Sequence, residues 1–347
     1  MKRRDFFGVV AVAATGLNLA SCMGSSSAEN TATTSTTAAS SELASHTGVV
    51  TLYYEFRIAG PENATMLAAV DALSTSLAAK DGFLSLSLKN TVGDSTMVKN
   101  YPKELKGVLG TAYTDGFKAG RMPLFYALFI RFENYTKLKA AGVESWFDTT
   151  VAPMLHLYQP GQNGAPPTKL ALAFDYYEGY FKTVAAGNRT AIYATEAEIV
   201  TFLKTQEDTP DRGYITVENH VAIHSSKTAE FNEKVKILLT TAQTTYRPDI
   251  NDADFDGGLD PQLIGQPGSA TNAYYRRAVT TEILQNLQVE TNAARSYLMH
   301  GVWQSVMDHE NSHLDVRFVQ SSTPTGTYVM AGPVEPFYET RRLVNKA

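Results

Sequence analysis

The chain has 347 residues, of which 44% are hydrophobic and 19% charged, and its formal net charge is -5. This length and apolar content suffice for one large domain or two ordinary domains with a substantial core. The acidic balance and the lack of a long basic stripe argue against nucleic acid as a partner.

Residues 1–22 have the features of an export signal. Arg3-Arg4 resembles a twin-arginine motif, and the apolar run at 8–19 is too short to span a bilayer comfortably. The run ends in Leu-Ala-Ser-Cys22, which resembles a lipobox, where the cysteine is lipid-modified. We therefore predict an exported lipoprotein, anchored at the periplasmic or outer cell-surface membrane. The alternative is a chance cysteine near an ordinary cleavage site.

The next segment, residues 23–46, contains mostly Ser, Thr and Ala. Such a composition cannot bury enough surface to offset the loss of chain entropy, and it predicts a disordered tether. Because Cys22 is the single cysteine, the folded part has neither a thiol nor a disulfide.

From Val49 onward, the apolar spacing predicts strands and helices in the order β-α-β-β-α-β, twice. In a first half, residues 47–210, strands are expected at 51–58, 83–88, 123–132 and 170–180, and helices at 63–80 and 133–155. In a second half, residues 211–347, strands are expected at 214–224, 294–303 and 327–340, and helices at 227–244 and 304–320. The second strand of that half is expected between residues 246 and 292 but has no clear position there, because this segment also contains a predicted inserted helix.

This order is that of the ferredoxin-like split βαβ unit. We therefore predict an α+β fold in which two ferredoxin-like halves form a domain like a dimeric α/β barrel. The alternative is a pair of unrelated α+β domains.

Two groups of ligand-type residues have incomplete patterns. The segment 252–257 begins like a calcium-binding EF-hand loop, but Leu263 stands where the bidentate glutamate is needed. An acidic turn is therefore favoured over a loose calcium site. His220 and His224 are four residues apart in a predicted strand, about 13 Å at the strand rise, too far for one metal ion. We interpret them as structural or surface histidines.

The strongest pattern is the pair His309 and His313, four residues apart in a predicted helix. At that spacing both rings lie on one helical face and can bind one metal ion if a third ligand joins them. Glu335, in the last predicted strand, is the candidate, because a buried carboxylate needs a partner. Two histidines and one carboxylate form the facial triad of non-haem Fe(II) oxygenases. His300, in the preceding strand, is a candidate for the same cavity.

Two alternatives remain open. His309-Glu310-x-x-His313 also matches the zinc-peptidase pattern, with Glu310 as catalytic general base and Glu335 as third ligand. Against it, Glu335 lies between prolines in a predicted strand, whereas those enzymes take the third ligand from a helix. The other alternative is a non-enzymatic ferredoxin-like binding module with two solvated histidines.

The segments 296–313 and 332–339 together resemble the iron-site region of sulfur oxygenase reductases. That family has a strand ending in Trp, a helix starting Asp-His-Glu-x-x-His, and a Gly-Pro-Trp-Glu-Pro strand, which here reads Gly-Pro-Val-Glu-Pro. Residues 221–241 resemble the family's first strand and helix. The resemblance implies two ferredoxin-like halves, iron on the two histidines and the glutamate of these motifs, and a possible homo-oligomer, since the family assembles into large shells.

The chain departs from that family in two respects. The iron-bearing half comes second rather than first. The family also holds sulfur as a persulfide on a cysteine, and the corresponding helical segment, about 234–241, contains none. The metal site therefore carries over more directly than the sulfur chemistry.

We therefore predict an exported mononuclear non-haem iron protein that uses O2 to oxidise a sulfur species or another small substrate. Asp308 and Glu310 are expected to hydrogen-bond the imidazoles. The apolar wall of the site is predicted to comprise Trp303, Met307, Met330 and Phe337.

Overall fold

The computed structural model describes residues 42–94, 123–247, 275–313 and 315–346. The predicted leader with Cys22, most of the predicted tether and the acidic segment 252–257 lie outside the described residues. Within the described ranges, no helix combines the length and the apolar character that crossing a bilayer requires.

The elements of the first part of the chain are organised around four long strands. They are β1 (Val50–Ile58), α1 (Gly60–Ala78), β2 (Phe83–Asp94), β3 (Leu124–Phe132), α2 (Tyr135–Ala141), α3 (Val143–Trp146), a π-helical turn (Phe147–Val151), a 3-10 turn (Ala152–Met154), β4 (His156–Gln159), β5 (Thr168–Ala173), β6 (Tyr177–Asn188), β7 (Ile192–Tyr193), α4 (Glu196–Lys204) and a 3-10 turn (Pro210–Arg212).

The remaining elements carry the residues of the predicted metal site. They are β8 (Ile215–His224), a 3-10 turn (Ser225–Lys227), α5 (Thr228–Thr244), β9 (Thr280–Asn286), a 3-10 turn (Thr291–Ala293), β10 (Ala294–Trp303), α6 (Val306–Ser312), α7 (Val316–Gly326), β11 (Val329–Val334) and β12 (Pro336–Asn345).

Eight of the described strands form a closed, antiparallel, barrel-like sheet. Its order is β1-β3-β2-β12-β8-β10-β9-β6, and β6 pairs again with β1. The short strand β7 extends β6, and β11 pairs with β8. The predicted α+β class is therefore confirmed, and the strand that the sequence left unplaced is β9, at residues 280–286.

The two faces of this sheet differ in chemistry. On the outer face, separate apolar clusters join α1 to β1–β3 and α5 to β8–β10. The inner face carries aromatic residues from both ends of the chain, such as Tyr53, Phe129 and Tyr338. It also carries buried charges. Because strand residues alternate between faces, inward-facing charges such as Arg131 and Glu282 can share a strand with aliphatic residues that pack outward under the helices.

Several predicted boundaries require correction. The predicted helix 304–320 is two helices, because the Asp315 side chain accepts a hydrogen bond from the Arg317 amide at 2.8 Å and starts α7. The predicted strand 170–180 is interrupted, since β5 pairs with β4 in a separate hairpin and only β6 joins the barrel. The predicted helix 133–155 is broken at Gly142, whose φ is +71°.

The predicted tether ends earlier than residue 46. Residues 42–45 form a helical turn in which Leu43 is 5% exposed and packs in the core. Glu42 forms an ion pair with Arg295 at 2.6 Å. The segment consists mostly of Ser, Thr and Ala, so its average composition does not reveal the single leucine that anchors its end in the core.

A buried ion pair crosses the barrel interior. Arg131 on β3 donates to Glu282 on β9 at 2.7 Å, and their side chains are 0% and 1% exposed. Thr183 donates to the other oxygen of Glu282 at 2.8 Å. This pair therefore links β3, in the first part of the chain, to β9, in the second part, through the core.

Replacing Glu282 with leucine is expected to lower the free energy of unfolding by about 3–5 kcal/mol, because Arg131 becomes an uncompensated buried charge. The double variant Arg131→Met/Glu282→Leu is expected to recover most of that loss, since apolar residues of similar volume replace both charges. Urea denaturation followed by circular dichroism measures both values.

The matched control is Glu233→Leu, which removes the partner of Lys236 in an exposed pair of 3.1 Å on α5. That substitution is expected to cost less than about 1 kcal/mol. An equal loss in the single and double barrel variants would show that the buried charge is not the cause.

Candidate metal centre

The short helix α6 is anchored at its N-terminus by Asp308. Ser305 is the N-cap residue; its hydroxyl accepts a hydrogen bond from the Asp308 amide at 3.2 Å and donates to the Asp308 carboxylate at 2.7 Å. The backbone amide and guanidinium of Arg276 also donate to this carboxylate, at 2.8–3.2 Å. Asp308 thus fixes the start of α6 and has these partners in place of the predicted imidazole contact.

The two histidines lie side by side, as their spacing predicts. Their ring centroids are 4.5 Å apart with planes at 71°. The His309 ring is 5.5 Å from the ring of Trp303 and 5.6 Å from that of Phe337. The His313 ring is 5.1 Å from the ring of Phe318. Aromatic side chains therefore hold both imidazoles in position.

Glu335 lies at the junction of β11 and β12. β11 pairs with the second part of β8, and β12 pairs with its first part, so the residue between them lies beside the middle of β8. There the side-chain amide of Asn219 donates to Oε1 of Glu335 at 2.6 Å. One carboxylate oxygen is thereby fixed.

A glycine permits this close approach of β11 to β8. Gly332, whose peptide bond to Pro333 is cis, has a φ of +95°. A Cβ atom at this position would collide with the carbonyl oxygen of His220. A glycine is therefore required here, because any side chain would push β11 away from β8 and move Glu335.

His309, His313 and Glu335 converge in the fold. Each offers one ligand atom, and these atoms lie within 4.8 Å of one another, the only such group among the described residues. A metal ion with ligand bonds of about 2 Å draws its ligand atoms to about 3–4 Å. Small side-chain rotations therefore suffice to close the three donors on one ion.

The carboxylate of Glu310 contacts the imidazole of His309. The carboxylate is 3.1 Å from Nδ1 of His309, in agreement with the predicted imidazole contact. With Nδ1 donating to this carboxylate, Nε2 carries the lone pair that a metal requires. The Glu310 side chain is not among the described residues that line the adjoining cavity.

A cavity of about 310 Å³ adjoins the three residues, all of which line it. It lies between the outer face of β8, β9 and β10 and the helices α5 and α7. Its walls are mainly apolar: Val217, Val221, Phe231, Val235, Leu238, Leu239, Ala242, Ile283, Met299, Trp303, Phe318, Val319 and Val329.

Two of the four predicted wall residues are wrong. Met307 and Met330 are 48% and 51% exposed and do not line the cavity. Met307 is two residues before His309, about 200° around the helix. Met330 follows the cavity-lining Val329 and points to the opposite side of β11. Trp303 does line the cavity, and Phe337 supports the His309 ring from beside it.

His300 borders the cavity through its strand, but its imidazole lies on the inner face of the barrel. The ring is 5.3 Å from that of Phe129, and Nδ1 is 3.8 Å from Oε1 of Glu218. Burial, helped by the charges of Lys89 and Arg131, holds the pKa of His300 well below its usual range. This histidine is therefore neutral in the folded protein.

His220 has the opposite electrostatic balance. Its Nε2 is 3.4 Å from Oε2 of Glu218. Burial lowers the pKa of His220, but the contact with Glu218 and the charge of Glu55 outweigh it and raise the pKa above its usual value. His224, the last residue of β8, is exposed. The two histidines are thus a core and a surface residue, and neither reaches the candidate metal centre.

Asn219 is the site residue that the sequence analysis missed. The outer row of β8 reads Val217, Asn219, Val221, so a polar residue interrupts an apolar face. Such a residue needs a hydrogen-bond partner when buried. That signal was present in the sequence, but the partner, Glu335, is 116 residues away.

Comparison with known families covers much of the described chain. Residues 184–341 match the CT0912-like C-terminal domain, and residues 49–137 match the ABM-like domain. No curated protein sequence matches the chain.

Three solved structures have low but extended similarity. A proposed monooxygenase of Fusobacterium nucleatum subsp. nucleatum is 10% identical, covers 87% of this chain and 96% of its own, and has a TM-score of 0.47. One from Lactobacillus acidophilus is 10% identical, with 86% and 97% coverage and a TM-score of 0.47. An anthrone oxidase-like protein is 12% identical, with 88% and 95% coverage and a TM-score of 0.46. At these values they assign no ligand or reaction to the chain.

Replacing Asn219 with alanine is expected to lower metal affinity by about 10–100-fold, because Glu335 loses the contact that orients it. Competition with a chromophoric chelator for added Fe(II) or Zn(II) measures the affinity. Asn232→Ala is the control, since Asn232 lies on α5 and donates to Gln285 on β9, a contact that involves none of the three ligands. Equal affinities for both variants would exclude a positioning role for Asn219.

The stability of the protein is expected to fall as the pH drops below about 6.5, the usual pKa of histidine. In that range the histidine of the unfolded chain binds a proton, whereas His300 of the folded protein does not. The stability that neutral His300 contributes is therefore present above the pKa of the unfolded state and is lost as the pH falls below it. His300 accounts for up to about 1.4 kcal/mol per pH unit, which His300→Gln is expected to remove.

Chemical denaturation of the wild type and His300→Gln at pH 7.5 and 5.5 tests this expectation. His224→Gln, an exposed substitution, is expected to retain the pH dependence of the wild type. The opposite contribution of His220 is common to all three proteins and cancels in the comparison. Parallel pH profiles for the wild type and His300→Gln would contradict the assignment.

Proposed function

We propose that this chain is a mononuclear non-haem iron protein that uses O2 to oxidise a small molecule held in the cavity beside the triad. The observation that carries the proposal is the convergence of His309, His313 and Glu335 at the wall of that cavity. Two imidazole nitrogens and one carboxylate oxygen suit Fe(II) and leave coordination positions for O2 and substrate.

Fe(II), when bound, would supply the binding and activation of O2. The chain's own residues prepare the site for it. Glu310 holds the proton on Nδ1 of His309, so Nε2 can act as ligand. Asn219 holds one oxygen of Glu335, which favours coordination through the other. Trp303 packs against His309 and lines the cavity, limiting the access of water.

A zinc peptidase is the less supported alternative. There Glu310 would have to reach a water molecule on the open side of the metal. Instead its carboxylate contacts the ring nitrogen of His309 that faces away from a metal on Nε2. The third ligand also comes from the junction of two strands rather than from a helix.

The fold, the export and the sulfur chemistry of the proposed protein rest on separate observations. We propose two ferredoxin-like halves, because the β-α-β-β-α-β order occurs twice around the closed sheet. Export and lipid anchoring through Cys22 remain part of the proposal on sequence grounds. A persulfide step is not included, because Cys22 is the only cysteine and lies in the predicted leader.

Full-length protein loaded anaerobically with Fe(II) alone is expected to retain iron at close to one equivalent per chain. His309→Ala and Glu335→Ala are expected to lose it, because two remaining donors do not hold the ion. Metal content is measured by plasma mass spectrometry after gel filtration. His224→Ala, an exposed histidine, is the control and is expected to retain iron.

Two results would contradict the proposal. The first is peptide cleavage by the zinc-loaded protein that Glu310→Gln abolishes, which would identify a peptidase. The second is metal content that does not change in the two ligand variants, which would place the ion elsewhere.

A further inference from the structure

The size of the cavity bears on the class of substrate. Its volume of about 310 Å³ corresponds to roughly ten water molecules at about 30 Å³ each. Small organic ligands occupy sites of about 300–1,000 Å³. O2 or a small sulfur oxyanion would therefore leave most of this space empty.

The shape of the cavity is elongated along α5. Its lining includes Phe231 near the start of this helix and Ala242 near the end. Eleven residues of helix span about 16 Å. Ala242 belongs to the same apolar cluster as Trp303 and Phe337, which pack on His309, whereas Phe231 belongs to another cluster. The triad is thus near one end of a long apolar cleft.

The charges around the cavity disfavour an anion. Among the described lining residues there is no lysine or arginine. Glu282 borders the cavity but turns inward to Arg131, and the nearby Lys89 is paired with Asp208 on the inner side. A buried anion without a cationic partner costs several kcal/mol or more. A sulfur oxyanion bound in the cleft away from the triad, out of reach of the proposed metal ion, would bear that cost.

The polar side chains of α7 do not change this character. The Ser322 hydroxyl donates to the Val319 carbonyl at 3.3 Å, and the Thr325 hydroxyl donates to the Ser322 carbonyl at 2.6 Å. On β9, the Thr281 hydroxyl is hydrogen-bonded to the side-chain amide of Gln243 at 3.0 Å. Since these donors and acceptors have partners within the protein, the walls away from the triad offer mainly apolar contact.

From these observations we infer that the substrate is a neutral, elongated, mainly apolar organic molecule, whose polar end lies beside His309, His313 and Glu335. The assignment rests on the proposed function for the chemistry at the triad. Binding of the apolar part depends on the cleft alone and does not require a metal ion.

The test uses full-length, metal-free protein and a series of neutral probes, the 1-alkanols from hexanol to decanol. Displacement of fluorescent 2-naphthol measures their affinities. Each added methylene is expected to strengthen binding by about fourfold, because burying one methylene group is favourable by about 0.8 kcal/mol. Thiosulfate and tetrathionate, as anionic sulfur probes, are expected to displace no 2-naphthol.

Two substitutions on α7 locate the binding. Val319 lines the cleft and is 45% exposed, so a larger side chain fits at its rim without disturbing the core. Val319→Trp is expected to weaken decanol binding by about tenfold, equivalent to one or two methylene groups less burial. Val316→Trp is the matched control, because Val316 is 55% exposed and does not line the cleft. It is expected to change affinity by less than about twofold.

The inference is overturned if the alkanol affinities do not rise with chain length, or if Val319→Trp and Val316→Trp behave alike. Displacement of 2-naphthol by thiosulfate that Val319→Trp prevents would instead assign the cleft to sulfur anions. Iron content is measured separately on the same protein. Alkanol binding without iron retention would leave the cleft assignment intact and refute the proposed function, and the reverse result would do the opposite.

Discussion

The structure depends on the double pairing of its C-terminal strand. β12 pairs with β2 over most of its length and with the start of β8 on the other side, and β2 belongs to the first part of the chain. This pairing closes the barrel between the two parts. It also fixes the position from which Glu335 projects, because the chain changes from β11 to β12 at that residue. Closing the sheet and completing the candidate metal centre are therefore one structural event.

The division of chemistry between the two faces of the sheet explains why an apolar cleft exists beside a charged core. The inner face buries Arg131, Glu282 and Lys89 as pairs, where each charge has a partner. With these charges inside, the part of the outer face of β8, β9 and β10 that lines the cavity is mainly apolar. The helices α5 and α7 cover that face without filling it, and the unfilled space is the cleft.

Much of the site could be predicted from the sequence because its signals are local. The helical spacing of His309 and His313 and the strand at 294–303 depend only on neighbours along the chain, and the structure places both as expected. The contact between Asn219 and Glu335 could not be predicted, since it depends on the register of β11 against β8 and on a glycine with positive φ. The positions of Met307 and Met330 were wrong for a related reason. Their apolar character is typical of a cavity wall, but their positions along the helix and the strand point them to solvent.

The orientation of Glu310 distinguishes chemistries that the motif alone leaves open. His-Glu-x-x-His on a helix is compatible with a carboxylate that activates water in front of a metal or with one that orients a histidine from behind. Here the contact at 3.1 Å is with Nδ1 of His309, which corresponds to the second of these arrangements. A site without a general base in front of the metal is poorly suited to hydrolysis. The cavity beside His309, His313 and Glu335 is lined by Trp303 and mainly aliphatic side chains, and under the proposed function this wall would contact an apolar substrate.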